Sequence, residues 1–258
     1  MQTLRRRGFI AAIATTALSI AACSSSGGSN APSNGGLSGS ITVAAASSLT
    51  EAFDTIKAQF TKAHPGTTIT ISYGASSDLA TQITNGAPID VFASASTTNM
   101  GDLKSQAINP VDFVTNTMEI ATPRSNPAQI ASVTDLAKPG VKVAVCSAEV
   151  PCGVVASQIF KNARITLKPT ADEEDVKSTL AAVESGEVDA GMVYVTDVRS
   201  AGNKVNGVEI PADLNASTEY PIAALKGSEN PALAKAFVDY VLSPAGKKVL
   251  SADGFTKP

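Results

Sequence analysis

From Ile41 to Leu225, apolar runs of strand length alternate with segments whose apolar residues return at helical spacing. ITVAAA reads as a strand, and Leu49, Ala52, Phe53, Ile56, Phe60 and Ala63 then recur three and four apart until Pro65-Gly66 stops the helix. TTITISYG alternates as a strand, Leu79, Ala80 and Ile83 mark a short helix closed by Asn85-Gly86, and IDVFAS is a third strand. Met100, Leu103 and Ala107 place another helix, and MEIATP, near 118–123, another strand. VTDLAKPG is a short helix followed by the strand VKVAV. Val155, Ile159 and Ala163 mark one further helix face; Val176, Leu180 and Val183 mark the next, stopped at Gly186. DAGMVYV and YPIAALK are strands, and two helices broken at Pro244 close the chain. Such alternation predicts an α/β fold with mixed, largely parallel sheets.

The beginning of the chain follows other rules. Arg5-Arg6-Arg7 leads into GFIAAIATTALSIAA, which ends at Cys23; this reads as an export signal over 1–22, too short to span a bilayer as a stable helix. Ile20-Ala21-Ala22-Cys23 resembles the lipobox of bacterial lipoproteins, which implies a lipid on Cys23 and anchoring at the extracytoplasmic face of the cell membrane. Ordinary cleavage near Ala22 is the alternative, and RRGFI also looks like a twin-arginine signal. Residues 23–37 have almost no apolar side chain to bury and read as a flexible tether.

Removing the three arginines of the leader from 20 basic residues leaves 17 against 23 acidic, a formal charge of −6. With no basic stripe, nucleic acid is excluded as a partner. With Cys23 given to lipid, Cys146 and Cys152 remain as an even pair in an oxidising compartment, either bridged or as two free thiols. A bridge over so short a loop contributes about 2 kcal/mol.

A single histidine, His64, sits in the helix stop AHPG and reads as a surface turn residue. That leaves no base for a Ser-His-Asp enzyme and too few ligands for a zinc site, and no Walker loop or dinucleotide fingerprint appears. What recurs instead is small or hydroxyl residues where a strand or loop hands over to a helix. Ser47-Ser48 precede Leu49, Ser76-Ser77 precede Leu79, Cys152-Gly153 precede Val154, and Glu174-Asp175 precede Val176. At each start the first backbone N–H groups lack intrahelical partners and the helix dipole adds partial positive charge, so several starts facing one point would hold an anion without any cation. Plain capping is the other reading: Ser48-Leu49-Thr50-Glu51 fits an S-x-x-E capping box, and Asp175 fits an N-cap whose carboxylate faces away from any anion.

The segments ITVAAASSLTEAF, SYGASSDLATQITNGAPIDVFASA, VPCG, EDVKSTLAAVESGEVDAGMVYVTD and EYPIAALK with ADGF resemble, in that order, the molybdate-binding proteins of bacterial ABC importers. The resemblance implies a type II periplasmic binding protein-like fold of two α/β lobes joined by a hinge, with the ligand in the cleft. Lobe I would comprise 38–119 plus 217–258 and lobe II 120–216, with hinge crossings near 116–120 and 214–219. It further implies a non-enzymatic monomer without a cofactor, whose partners are molybdate or tungstate and the permease of an ABC importer. Carried over residue by residue, the oxyanion contacts fall on Ser48, Ser76 and Tyr194 through hydroxyls and on Cys152 and Val176 through backbone N–H groups. Rival readings are the same fold preferring tungstate or sulfate, a hydrolase using Ser48 or Ser76, and a surface interaction lipoprotein without a small ligand.

Overall fold

The computed structural model describes residues 36–258. The expected signal peptide, the lipidation site Cys23 and the tether as far as residue 35 lie outside the described residues. The body opens with strand β1 (Gly39–Ala46), a 3-10 turn at Ser47–Leu49 and helix α1 (Thr50–Ala63). α1 buries Ala52, Phe53, Ile56 and Phe60, one helical stripe. Phe60 meets Phe237 edge-on, with ring centroids 5.5 Å apart, and also stacks on His64, where the helix ends. Each of these large side chains contributes roughly 1.5–3 kcal/mol by leaving water.

Strand β2 (Thr67–Gly74), helix α2 (Ser76–Thr84) and strand β3 (Val91–Ala93) follow as the periodicity predicts. The helix expected to run to Ala107 is shorter. α3 (Thr97–Asp102) stops, Lys104 takes a left-handed φ of 51°, and Ala107 instead begins the 17-residue strand β4 (Ala107–Pro123), paired with Leu225. A residue with positive φ cannot continue a right-handed helix, and this one turns the chain into the sheet.

Beyond β4 lie a 3-10 turn at Val133–Ala137, strand β5 (Val143–Cys146), helix α4 (Pro151–Asn162), strand β6 (Ala171–Glu173), helix α5 (Val176–Glu184) and strand β7 (Ala190–Tyr194). Helix α6 (Val195–Ala201) and strand β8 (Val205–Glu209) come next; neither they nor β6 stood out in the apolar pattern. Strand β9 (Ser217–Leu225) and helices α7 (Pro231–Leu242) and α8 (Pro244–Asp253) complete the body. α4, α7 and α8 all place proline in the first turn, where no backbone N–H is needed. Among the described residues no helix is long and apolar enough to cross a membrane.

The strands form one path in the order β2-β1-β3-β9-β4-β7-β5-β6, with β8 on β4. β1 pairs in parallel with β2 and β3, and β5 in parallel with β6 and β7; the middle, β3-β9-β4-β7, is antiparallel. β4 serves both sides: Ala107 to Thr117 pair with β9, whereas Met118 to Pro123 pair with β7 and β8. The buried apolar residues divide at the same place. One cluster draws on Met118 through Ile210 and admits Ala75, while the others draw on Ile41 through Val114 and Tyr220 through Phe255.

Candidate functional site

The ends of β1, β2 and β7 and the starts of α2, α4 and α5 converge on a small cavity of about 10 Å³. Ser48, Ser76, Cys152, Val176 and Tyr194 all line it, so residues spread over 147 positions of sequence meet at one point. Ser47, Ala95, Pro151 and Asp175 complete much of the wall. Parallel strands on each flank aim their carboxyl ends here, the usual placement of ligand crevices in α/β sheets. All five of the expected contacts are buried.

β1 ends in Ala44-Ala45-Ala46, all buried between two parallel neighbours, and these small side chains let the following turn lie close to the cavity. The 3-10 turn moves the start of α1 to Thr50, with Leu49 as its N-cap and no side-chain cap bond. The capping box is therefore absent. Ser48 Oγ lies 2.8 Å from Tyr220 Oη, and Glu51 reaches to Lys177. Ser76 is likewise no cap: it is the first residue of α2 after Ala75, and its Oγ accepts the Ala95 N–H at 2.8 Å. Both serines have an oxygen engaged from behind while standing in the cavity wall.

On the opposite side, Pro151 has no N–H to offer, so the first backbone donors of α4 are Cys152 and Gly153. Cys146 and Cys152 are joined in a disulfide that ties the end of β5 to this helix start. A Cβ on Gly153 would stand 1.9 Å from the Ser147 carbonyl oxygen, so only glycine allows α4 to seat there. Asp175 caps α5 as expected, its Oδ1 accepting the Ser178 N–H at 2.9 Å, which leaves the Val176 N–H at the helix start. Asp175 itself is among the residues lining the cavity. Tyr194 ends β7, and its buried hydroxyl has no hydrogen-bond partner among the described residues.

No lysine, arginine or histidine lines the cavity among the described residues. Lys177, which follows Val176 in α5, spends its charge elsewhere: Nζ is 2.8 Å from Glu51 Oε1 and 3.2 Å from Asp197 Oδ1. Burial pulls the Lys177 pKa down, but Asp197 and Glu51 outweigh it and the net shift is upward. Asp197 is fully buried, which pushes its carboxyl up to about 6 against the opposing pull of Lys177; its Oδ2 accepts the Tyr194 N–H at 3.0 Å. A larger hollow of about 590 Å³ lies beside β4 and β8, but Glu119 and Glu209 line it, and burial followed by Glu209 pushes the Glu119 pKa up. An anion would be repelled there.

The sequence pattern did not anticipate Tyr220, the Ala95 N–H, or the Glu51–Lys177–Asp197 cluster. Tyr220 carried one faint signal, an aromatic residue at the head of the small-residue strand YPIAALK. Among the described residues there is no group of three or more His, Cys, Asp or Glu that could hold a metal ion.

The family model of bacterial extracellular solute-binding proteins matches residues 41–256. The molybdate-binding protein ModA of Mycobacterium tuberculosis is 42% identical over 222 residues, spanning 85% of this chain and 85% of that protein. A Bacillus subtilis chain named provisionally as an ABC transporter substrate-binding lipoprotein is 32% identical over 260 residues, 96% of each chain. Among solved structures, the periplasmic molybdate-binding protein of Azotobacter vinelandii superposes with a TM-score of 0.74 at 21% identity, covering 84% of this chain and 99% of that one, a likeness of fold.

Proposed function

Because the chain belongs to the bacterial extracellular solute-binding protein family, and to its ModA-type branch of ABC importer components rather than to any enzyme class, we propose that its ligand is molybdate, with tungstate as a near equivalent. It takes the anion into the cavity between a lobe of residues 38–119 plus 217–258 and a lobe of residues 120–216, and presents the closed form to the permease. A lipid on Cys23 holds it at the extracytoplasmic face of the membrane, a reading supported by the lipobox-like sequence and by the lipoprotein name of the Bacillus subtilis relative.

One observation carries this reading: five buried residues, from three helix starts, the 3-10 turn before α1 and one strand end, line a single cavity with no cation in its wall among the described residues. Ser48, Ser76 and Tyr194 supply hydroxyls; Cys152 and Val176 supply backbone N–H groups. A body of formal charge −6 does not draw an anion by its long-range field, so affinity comes from local donors fixed before the ligand arrives. Each such bond to a charged oxygen contributes about 1.5–3 kcal/mol, and several together reach submicromolar affinity after the cost of ordering and closure.

A cavity that closes on a large tetrahedral dianion leaves its donors stretched around a smaller one, which disfavours sulfate. Hydrogen phosphate carries a proton for which Ser48, Ser76, Tyr194, Cys152 and Val176 offer no acceptor once all five donate to the ligand, Asp175 being engaged with its own helix. Isothermal titration of the purified protein with molybdate, tungstate, sulfate and phosphate tests this directly. Molybdate and tungstate are expected to bind tightly and within about tenfold of each other, with sulfate and phosphate weaker by orders of magnitude. Sulfate binding as tightly as molybdate would overturn the selectivity argument.

A further inference from the structure

Tyr220 belongs to β9, where it pairs with Val114 of β4, and it is fully buried beneath the cavity wall. Its hydroxyl oxygen lies 2.8 Å from Ser48 Oγ. Its ring meets that of Tyr194 at 69° with centroids 6.3 Å apart, so it touches hydroxyl-bearing residues from both sides of the cavity. Burial raises the Tyr220 pKa above the ordinary phenol value, with the bond to Ser48 pulling the other way; the group is a neutral hydroxyl throughout the physiological range.

A hydroxyl has one proton and two acceptor lone pairs. If Ser48 gave its proton to Tyr220, its oxygen would turn lone pairs toward the cavity and repel an anion. If Tyr220 gives its proton to Ser48, the serine proton is left free to point at the ligand. Only the second arrangement suits an oxyanion. Ser76 meets the same requirement through a donor that no side-chain change removes, the Ala95 N–H at 2.8 Å. For Ser48 the donor is a side chain, and it comes from the strand that runs beside the β4 crossing.

We propose that Tyr220 is a positioning residue that fixes Ser48 as a hydrogen-bond donor, and that through Ser48 it sets the discrimination between fully deprotonated oxyanions and those that keep a proton. This rests on the oxyanion reading above and adds a residue that never touches the ligand. Without the phenol, the Ser48 hydroxyl is free to rotate and accept, so hydrogen phosphate gains a partner for its proton while molybdate loses a fixed donor.

The test titrates the unmodified protein, Tyr220→Phe, Ser48→Ala and the double variant with molybdate and with phosphate. Tyr220→Phe is expected to weaken molybdate about tenfold and to narrow the molybdate-to-phosphate affinity ratio by more than that, while adding nothing further in the Ser48→Ala background. A purely structural role would weaken both anions alike, and an unchanged ratio, or an equal effect in the absence of Ser48, would overturn the proposal. Should Tyr220→Phe fail to fold, 3,5-difluorotyrosine at position 220 keeps the ring and sharpens the hydroxyl as a donor. It must widen the ratio, and an unchanged ratio overturns the proposal. Failure of the unmodified protein to bind molybdate would instead strike the oxyanion reading itself, so the two failures are told apart within one set of titrations.

Discussion

Lys177 Nζ stands 2.8 Å from both carboxylate oxygens of Glu51, joining the first turn of α5 to the first turn of α1. Lys177 follows Val176 and Glu51 lies one turn beyond Ser48, so the pair links the two helix starts that face each other across the cavity. Asp197 and Ser200, both on α6, hold the same ammonium from behind.

Glu51→Gln removes the link between the helix starts but leaves Lys177 paired with Asp197. Glu51 is about half exposed, so the loss is modest: molybdate affinity is expected to fall about two- to fivefold, and the difference to shrink at high salt. Titration at two ionic strengths checks this, and equal affinity at low salt would show that the pair has no part in closure.

Ser48→Ala and Ser76→Ala are each expected to weaken molybdate by about tenfold or more, one bond to a charged oxygen being lost. Both should also lower stability, since Ser48→Ala takes a partner from the buried Tyr220 hydroxyl. Ser76→Ala also strips the buried Ala95 N–H of its acceptor, a cost of about 1–3 kcal/mol. Calorimetric melting alongside titration separates the two effects; lowered melting temperatures with unchanged affinity would return both serines to a structural role.

Gly153→Ala sets a methyl group against the Ser147 carbonyl, and the start of α4 must back away from the loop to which the disulfide ties it. The expected result is a destabilisation of about 2 kcal/mol or more together with loss of molybdate binding, because the Cys152 N–H moves with the helix. A variant that melts and binds like the parent would show that this loop does not set the donor's position.

Asp197 supplies a pH signature. Its folded-state pKa, pushed up to about 6 by burial, lies above the unfolded value of 3.8. Between these values the folded chain holds more protons than the unfolded one, so this carboxyl's contribution to stability falls as pH rises through the window. Lys177 and Glu51 face it and are already part of the balance. Asp197→Asn, which retains an oxygen to accept the Tyr194 N–H, should therefore gain relative to the parent by about 2 kcal/mol between pH 4 and pH 7. Chemical denaturation at both pH values measures it; a gap that closes with rising pH would reverse the sign argued here.

The strands and helices that carry the site were legible because their periods are local: Leu49 to Phe60 and Val176 to Val183 show their buried faces within a few turns. The convergence of their starts was not, since no local pattern brings Ser48 to Tyr194; only the resemblance to known binding proteins anticipated which starts would meet. Ser48-x-x-Glu51 looked like a capping box because nothing in those four residues reveals the 3-10 turn that displaces the helix start to Thr50. Ala107 continued an apolar spacing that Lys104 interrupts through its backbone alone. Tyr220 was out of reach for a simpler reason: its partner lies 172 residues away.

The shared strand β4 bears on how such a body would breathe. β4 and β9 remain bonded from Val114 to Thr117 as β4 passes from one apolar cluster to the other. A relative swing of the two clusters flexes this ribbon without unzipping it. In amide hydrogen–deuterium exchange, Val114 and Asn116 should thus stay protected with or without anion, whereas the N–H groups of Ser76, Cys152 and Val176 should slow when the cavity fills. The chain would carry a pivot whose own exchange clock does not register its movement.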